Sequence, residues 1–196
     1  MKYHDIIESS GYSLEGSWTQ DLVFSKLWVA RELQRIMKSE GMDEIPVAYV
    51  IGSWYGNMSI LLRRAGVNIG RIIDVERNTE WLNLGHKIQQ QMGLHDIEPM
   101  NKDANELDYR QLDDPGLVIN TSLNDVKHTR WFRNIPTRTL VVLQGRDAVA
   151  PGTEHIYNNP REILKQYPLN TVYYQGTLDL TDPETDYQRS MVIGTK

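Results

Sequence analysis

The chain contains no cysteine in its 196 residues. That excludes disulfides, thiolate metal sites and cysteine nucleophiles together, and it fits a reducing compartment. No apolar run approaches the ~20 residues that a membrane-spanning helix needs. The opening "MKYHDIIESSGYS" has no apolar leader core, so a cytoplasmic protein is expected, with no membrane partner. Positive charge is not in excess either. The formal net charge is -5, which disfavours nucleic acid as a partner overall while leaving a local basic patch open. Repeats, low-complexity tracts and long Gly/Ser linkers are lacking too, which predicts a single domain, residues 1–196. With 40% hydrophobic and 24% charged residues, the composition is that of a globular fold.

What is present alternates. "TQDLVFSKLWVARELQRIMKSEG" predicts an amphipathic helix, with Val23, Lys26/Leu27, Ala30, Leu33/Gln34 and Met37 on one face and Thr19 at its N-cap. It belongs to an N-terminal helical extension, residues 1–45, in which Tyr12 and Trp18 are candidate lid residues. Short apolar runs follow at Val47 to Ile51, Arg71 to Val75, Leu117 to Asn120 and Thr139 to Leu143, with a further strand before Asp103. The helical patterns "NMSILLRRAG", "NTEWLNLGHKIQQQMG" and "NDVKHTRWFRNI" lie between them, as a parallel sheet with crossover helices requires. At the end "NTVYYQGTLDL" and "YQRSMVIGTK" are separated by six residues only, too few for a helical crossover, so these two strands must pair antiparallel.

In an open sheet of this kind the functional edge lies outside the carboxyl ends of the strands. The loop Gly52-Ser53-Trp54-Tyr55-Gly56 falls there. Its spacing is G-x-x-x-G, with an indole where a dinucleotide fingerprint has its second glycine, so a pyrophosphate is disfavoured. A dinucleotide-dependent oxidoreductase is thus the weaker alternative. Asp74 and Glu76 lie 22 and 24 residues beyond Gly52, and either can accept hydrogen bonds from a ribose. Asp103 followed by Ala104 can offer a carboxylate to an adenine amino group and a backbone N–H to a ring nitrogen.

The series "VAYVIGSWYG", "IIDVERNTEWLNLGHKI", "KDANEL", "LVINTSLNDV" and "RTLVVLQG" resembles the class I S-adenosylmethionine-dependent methyltransferases over residues 46–194. The loop, "INTS" and "QRSMVIG" together are also similar to small methyltransferase-like proteins of phages and bacteria. The resemblance implies a Rossmann-like, mostly parallel seven-stranded sheet, with helices on both faces and a C-terminal antiparallel hairpin, as a core at 46–196. It implies S-adenosylmethionine as cofactor, and methyl transfer to an acceptor (small metabolite, peptide or RNA element) that the sequence leaves unnamed. Gly52 to Gly56 would then line the methionine portion, Glu76 rather than Asp74 would hold the ribose, and Asp103 with Ala104 would read the adenine. Asn120, Thr121 and Ser122 would lie beside the methyl group. Where the family has an acid two places before its first glycine, this chain has Val50. That departure, with bulky Trp54 and Tyr55 in the loop, keeps open a non-catalytic cofactor-binding or interaction module.

Other residues carry two readings. Trp54 and Tyr55 can be packing between helices or an aromatic wall over the site. Asn120 and His128 are candidate catalytic groups, though a strand end at Asn120, followed by a helix N-cap at Ser122 or Asn124, and a solvated histidine explain them as well. Lys127, His128, Arg130, Arg133 and Arg138 around Trp131 and Phe132 are either a surface for a phosphate-bearing substrate or a charged helix with its aromatic face inward. His4, His86, His95 and His155 share no metal-ligand spacing. The acids Asp179, Asp182, Glu184 and Asp186 read as a hairpin turn, so no metal is expected.

Overall fold

The computed structural model describes residues 18–112, 114–149, 152–181 and 186–196. Tyr12, His4, Asp182 and Glu184 lie outside the described residues. The elements are α1 (Gln20–Ser39), β1 (Ile45–Ile51), α2 (Asn57–Arg64), β2 (Ile69–Glu76), α3 (Thr79–Gln91), β3 (Ile97–Asn101), β4 (Gly116–Asn120), α4 (Arg130–Arg133), β5 (Leu140–Arg146), α5 (Pro160–Gln166), β6 (Thr171–Thr181) and β7 (Asp186–Thr195). Two 3₁₀ turns, Ala104–Glu106 and Leu123–Asp125, follow β3 and β4.

The seven strands form one sheet in the order β3-β2-β1-β4-β5-β7-β6. β1 pairs in parallel with both β2 and β4, while β7 runs antiparallel to both β5 and β6. The chain therefore winds outward from β1 to β3, returns to β4, and winds the other way. The reversal lies between β1 and β4, and their registers place Ile51 opposite Asn120. The two loops that leave these residues meet at the switch point, where open sheets of this type bind ligands.

Both sheet faces are covered, which explains the near-continuous apolar strands. Along β1, Ala48 and Val50 enter one core cluster with α1 and α2, whereas Val47, Tyr49 and Ile51 enter another beneath Trp131, Phe132 and Tyr167. The same alternation holds in β5, where Leu140 and Val142 face one cluster and Val141 and Leu143 the other. Each buried Val, Leu or Ile among them stabilises the fold by roughly 1.5–3 kcal/mol relative to exposure.

Three local expectations differ from the structure. In α1 the buried stripe is Asp21, Ser25, Trp28, Val29, Glu32, Leu33 and Ile36, together with Ala30 and Met37, whereas Leu27 and Gln34 are exposed. Polar partners across the sheet turn the helix this way: Ser25 Oγ donates to Gln144 Oε1 at 2.9 Å, and Tyr187 donates to Asp21. "NDVKHTRWFRNI" is a 3₁₀ turn and one turn of α4 rather than a crossover helix, and Ser122 makes no side-chain cap there. The cause is a clamp. Asn124 Nδ2 donates to the carbonyls of Arg146 and His155 at 2.8 and 2.7 Å, while its Oδ1 accepts from Arg146 N at 2.8 Å. A helix capped by Asn159, with Pro160 in its first turn, was missed although Asn-Pro is a start signal.

Candidate functional site

The first loop coils tightly because three of its five residues are left-handed: Gly52 at φ 61°, Trp54 at 55° and Gly56 at 73°. For a tryptophan this is an uncommon conformation, costing on the order of 1–2 kcal/mol. Hydrogen bonds hold it in place. Ser53 N donates to Val75 O at 3.1 Å, Gly56 N to Ser53 O at 2.8 Å, and Trp54 N to Glu76 Oε2 at 3.1 Å.

Gly56 has a second reason to lack a side chain. A Cβ there would lie 2.0 Å from Gln89 Nε2 and 2.9 Å from Asp74 Oδ2. Below it Asp74 accepts from Gln89 Nε2 at 2.6 Å and from Ser59 Oγ, which joins β2 to α2 and α3. Burial pushes the Asp74 carboxyl up to about 6; the two hydrogen bonds oppose this, and the charge of Glu76 adds to it. Asp74 therefore supports the loop from beneath and takes no part in the cavity wall.

A cavity of about 590 Å³ opens at the switch point, within the range of small-molecule sites. Of the residues expected there, Gly52, Trp54, Glu76, Asp103, Ala104, Thr121 and His128 line it, as does Ser122. Glu76 is 7% exposed, and each carboxylate oxygen accepts one backbone N–H, Oε2 from Trp54 and Oε1 from Asn78 at 2.9 Å. Asp103 Oδ1 accepts from Asn105 N at 2.8 Å and from Asn105 Nδ2 at 3.0 Å, which fixes the carboxylate at the start of the 3₁₀ turn that Ala104 opens. Ser122 Oγ donates to Gly52 O at 3.4 Å, and a Cβ on Gly52 would press on Ser122 Cβ at 3.1 Å, so the two loops touch.

Ser53, Tyr55, Gly56 and Asn120 stand behind the wall. Ser53 and Gly56 are buried in the loop. Tyr55 packs against Ile60, Leu84 and Ile88. Its backbone comes so near α3 that a Cβ on Gly85 would lie 2.7 Å from it. Asn120 is fully buried, and its Oδ1 accepts from Ser122 N at 2.9 Å, so it shapes the turn after β4. His128 lies in irregular chain between the second 3₁₀ turn and α4, and it is exposed at the cavity rim. In the basic-aromatic segment Trp131 and Phe132 are buried, whereas Arg130, Arg133 and Arg138 are exposed.

The structure adds residues that the sequence did not single out. Trp81 joins Trp54 and Tyr55 in an aromatic trio, with ring centroids 6.1 Å from each, and it lines the cavity with Trp54. Its position three residues after the N-cap Asn78 was a usable signal. Lys26 and Arg189 also line the cavity, 163 residues apart in the chain, and no local pattern links them. Burial pushes the Lys26 amine down to about 7, with the Arg189 charge acting the same way and the Asp21 charge opposing.

No protein-family model matches the chain, and no curated protein sequence does. Solved structures do match. The chain is similar to the magnesium protoporphyrin IX methyltransferase from Synechocystis with bound SAH (TM-score 0.59, 12% identity, 97% of this chain and 96% of that one). It is similar to the precorrin-6y C5,15-methyltransferase from Geobacter metallireducens (TM-score 0.56, 16% identity, 92% of each chain). It is also similar to an rRNA methylase from Streptococcus thermophilus (TM-score 0.55, 12% identity, 91% and 98%). At these identities the likeness establishes the fold: a Rossmann-like methyltransferase fold with a C-terminal antiparallel hairpin.

Proposed function

We propose that this chain is an S-adenosylmethionine-dependent methyltransferase. The observation that carries the reading is Glu76: a buried carboxylate at the end of β2, on the cavity wall, held by the N–H of the glycine loop. The residues present fit the cofactor. Glu76 keeps acceptor capacity beyond its two backbone bonds, as a ribose diol requires. Asp103 keeps Oδ2 for an adenine amino group, with the Ala104 N–H beside it for a ring nitrogen. Gly52 and Thr121 form a narrow floor for the methionine portion, and the Trp54 ring offers an apolar face. Ser53, Tyr55, Gly56 and Asn120 hold that frame.

When bound, the cofactor supplies a methyl group already activated on a sulfonium. The chain's task is then to hold an acceptor in line and keep water out, and orientation supplies most of the acceleration. Trp54 and Trp81 shield one side. His128 at the rim is positioned to take a proton from an acceptor, and Asn120 acts through the turn it shapes.

The non-catalytic module is the second reading, and Val50 favours it. Where the related fold carries an acid, Val50 is 1% exposed and packed in the core, so no carboxylate meets the cofactor there. Mass spectrometry of the purified protein for retained cofactor, followed by label transfer from methyl-labelled S-adenosylmethionine to metabolite, peptide and RNA pools, separates the two. Transfer to any pool supports the enzyme; binding without transfer supports the module; absence of both overturns the cofactor reading.

A further inference from the structure

The cavity contradicts the charge of the chain. The whole protein carries -5, yet the cavity lining holds six cationic side chains against three acidic ones. Two of those acids, Glu76 and Asp103, are assigned above to ribose and adenine. Arg189 reaches the Thr121 carbonyl, Lys26 lies within range of the Arg189 charge, and Asp125 lies within range of the Arg146 and Arg189 charges. Arg189 is 6% exposed. Its Nη1 donates to the Thr121 carbonyl at 3.4 Å and to Gln144 Oε1 at 3.3 Å, both neutral, while its Nε is buried with no partner. Neither Arg189 nor Lys26 forms an ion pair with a described residue. Asp21 on α1, whose charge acts on Lys26, accepts from the Tyr187 hydroxyl.

Arg189 is withdrawn from water and Lys26 is half-buried near it, with the charges of Asp21 and Asp125 in range but ion-paired to neither, so an anion would complete the pair. An Arg fork beside a Lys point charge is the donor set that holds a carboxylate or a phosphate. We infer that the end of the cavity bounded by Lys26 and Arg189 is an anion site for the methyl acceptor, which is a small molecule carrying a carboxylate or phosphate group. This rests on the methyltransferase reading for the word acceptor, while the anion site itself stands on the geometry. The cofactor also carries a carboxylate, so the test separates the two sources.

Inorganic phosphate and acetate are titrated into the protein saturated with S-adenosylhomocysteine, and the Arg189 Nε–H resonance is followed by NMR, assigned through its loss in Arg189→Lys. The expected result is a saturable shift with one site per chain, weakened about tenfold in Lys26→Met, with S-adenosylhomocysteine affinity unchanged within about threefold. Lys26→Met keeps the length of the stem, and its fold is checked by thermal melting. No saturable shift with either anion overturns the proposal. A loss of S-adenosylhomocysteine affinity in Lys26→Met and Arg189→Lys as large as the loss of phosphate also overturns it, since the pair then serves the cofactor. If S-adenosylhomocysteine fails to bind the wild-type protein, the cofactor reading falls, and the same titration on the free protein still decides the anion site.

Discussion

The backbone N–H of Trp54 donates to Glu76 Oε2 at 3.1 Å, so the glycine loop and the acid of the second strand form one unit. Replacing Glu76 by Gln turns one of the two accepting oxygens into a donor facing an N–H, a loss of roughly 1–3 kcal/mol. Glu76→Gln should therefore weaken S-adenosylhomocysteine binding about 10- to 100-fold and also lower the melting temperature. Calorimetry and a thermal melt measure both. A change in affinity alone, with the loop as stable as before, would separate the acid from the loop.

Gly56 occupies a place that no other residue fits. Gly56→Ala combines a left-handed backbone with a methyl 2.0 Å from Gln89 Nε2, and it should cost about 3 kcal/mol or more in urea denaturation. A cost below about 1 kcal/mol would mean that the Asp74–Gln89 pair moves aside freely.

Asp74 gives a pH signature. Its folded carboxyl is raised to about 6 and its unfolded value is near 4, so the folded state binds the extra proton between them. Stability should fall as pH rises from about 4 to 6, by up to roughly 3 kcal/mol from this group, and Asp74→Asn should remove that slope. An unchanged slope in the variant assigns it to other carboxylates.

Lys26 acts with the opposite sign in another window. The folded amine lies near 7 and the unfolded one near 10.4, so the unfolded chain binds more protons between them and stability rises with pH across that range. The penalty is complete below about pH 7. Lys26→Met should therefore raise the melting temperature at pH 6, with the gain shrinking toward pH 10. Constant gain at all pH values would assign it to packing.

Much of this was legible in the sequence because it is local. Continuous apolar runs at Val47 to Ile51 and Thr139 to Leu143 announced strands buried on both faces, and the six-residue link between Leu180 and Tyr187 required an antiparallel pair. Gly52, Trp54, Glu76, Asp103 and Thr121 come to one cavity because each ends a strand or follows it closely. Strand order was not legible, since pairing between β1 and β4 joins residues some 70 positions apart. The stretch after β4 misled because Asn124 binds Arg146 and His155, while Asn134 Nδ2 donates to Leu107 O at 2.9 Å; these remote backbone partners replace a helix's own bonds. Lys26 and Arg189 escaped for the same reason. Lys26 reads as one position of the helix face and Arg189 as a charge within a strand, and only the docking of α1 onto β7 and β5 brings the two to one cavity.

Whether the cavity at the switch point holds S-adenosylmethionine decides the function proposed for this chain. Calorimetric titration of S-adenosylhomocysteine into the wild-type protein, beside NAD as a control, tests it most directly. The prediction is one site per chain for S-adenosylhomocysteine, weakened in Glu76→Gln, and no saturable heat with NAD. Silence with S-adenosylhomocysteine, or equal binding of NAD, would contradict it.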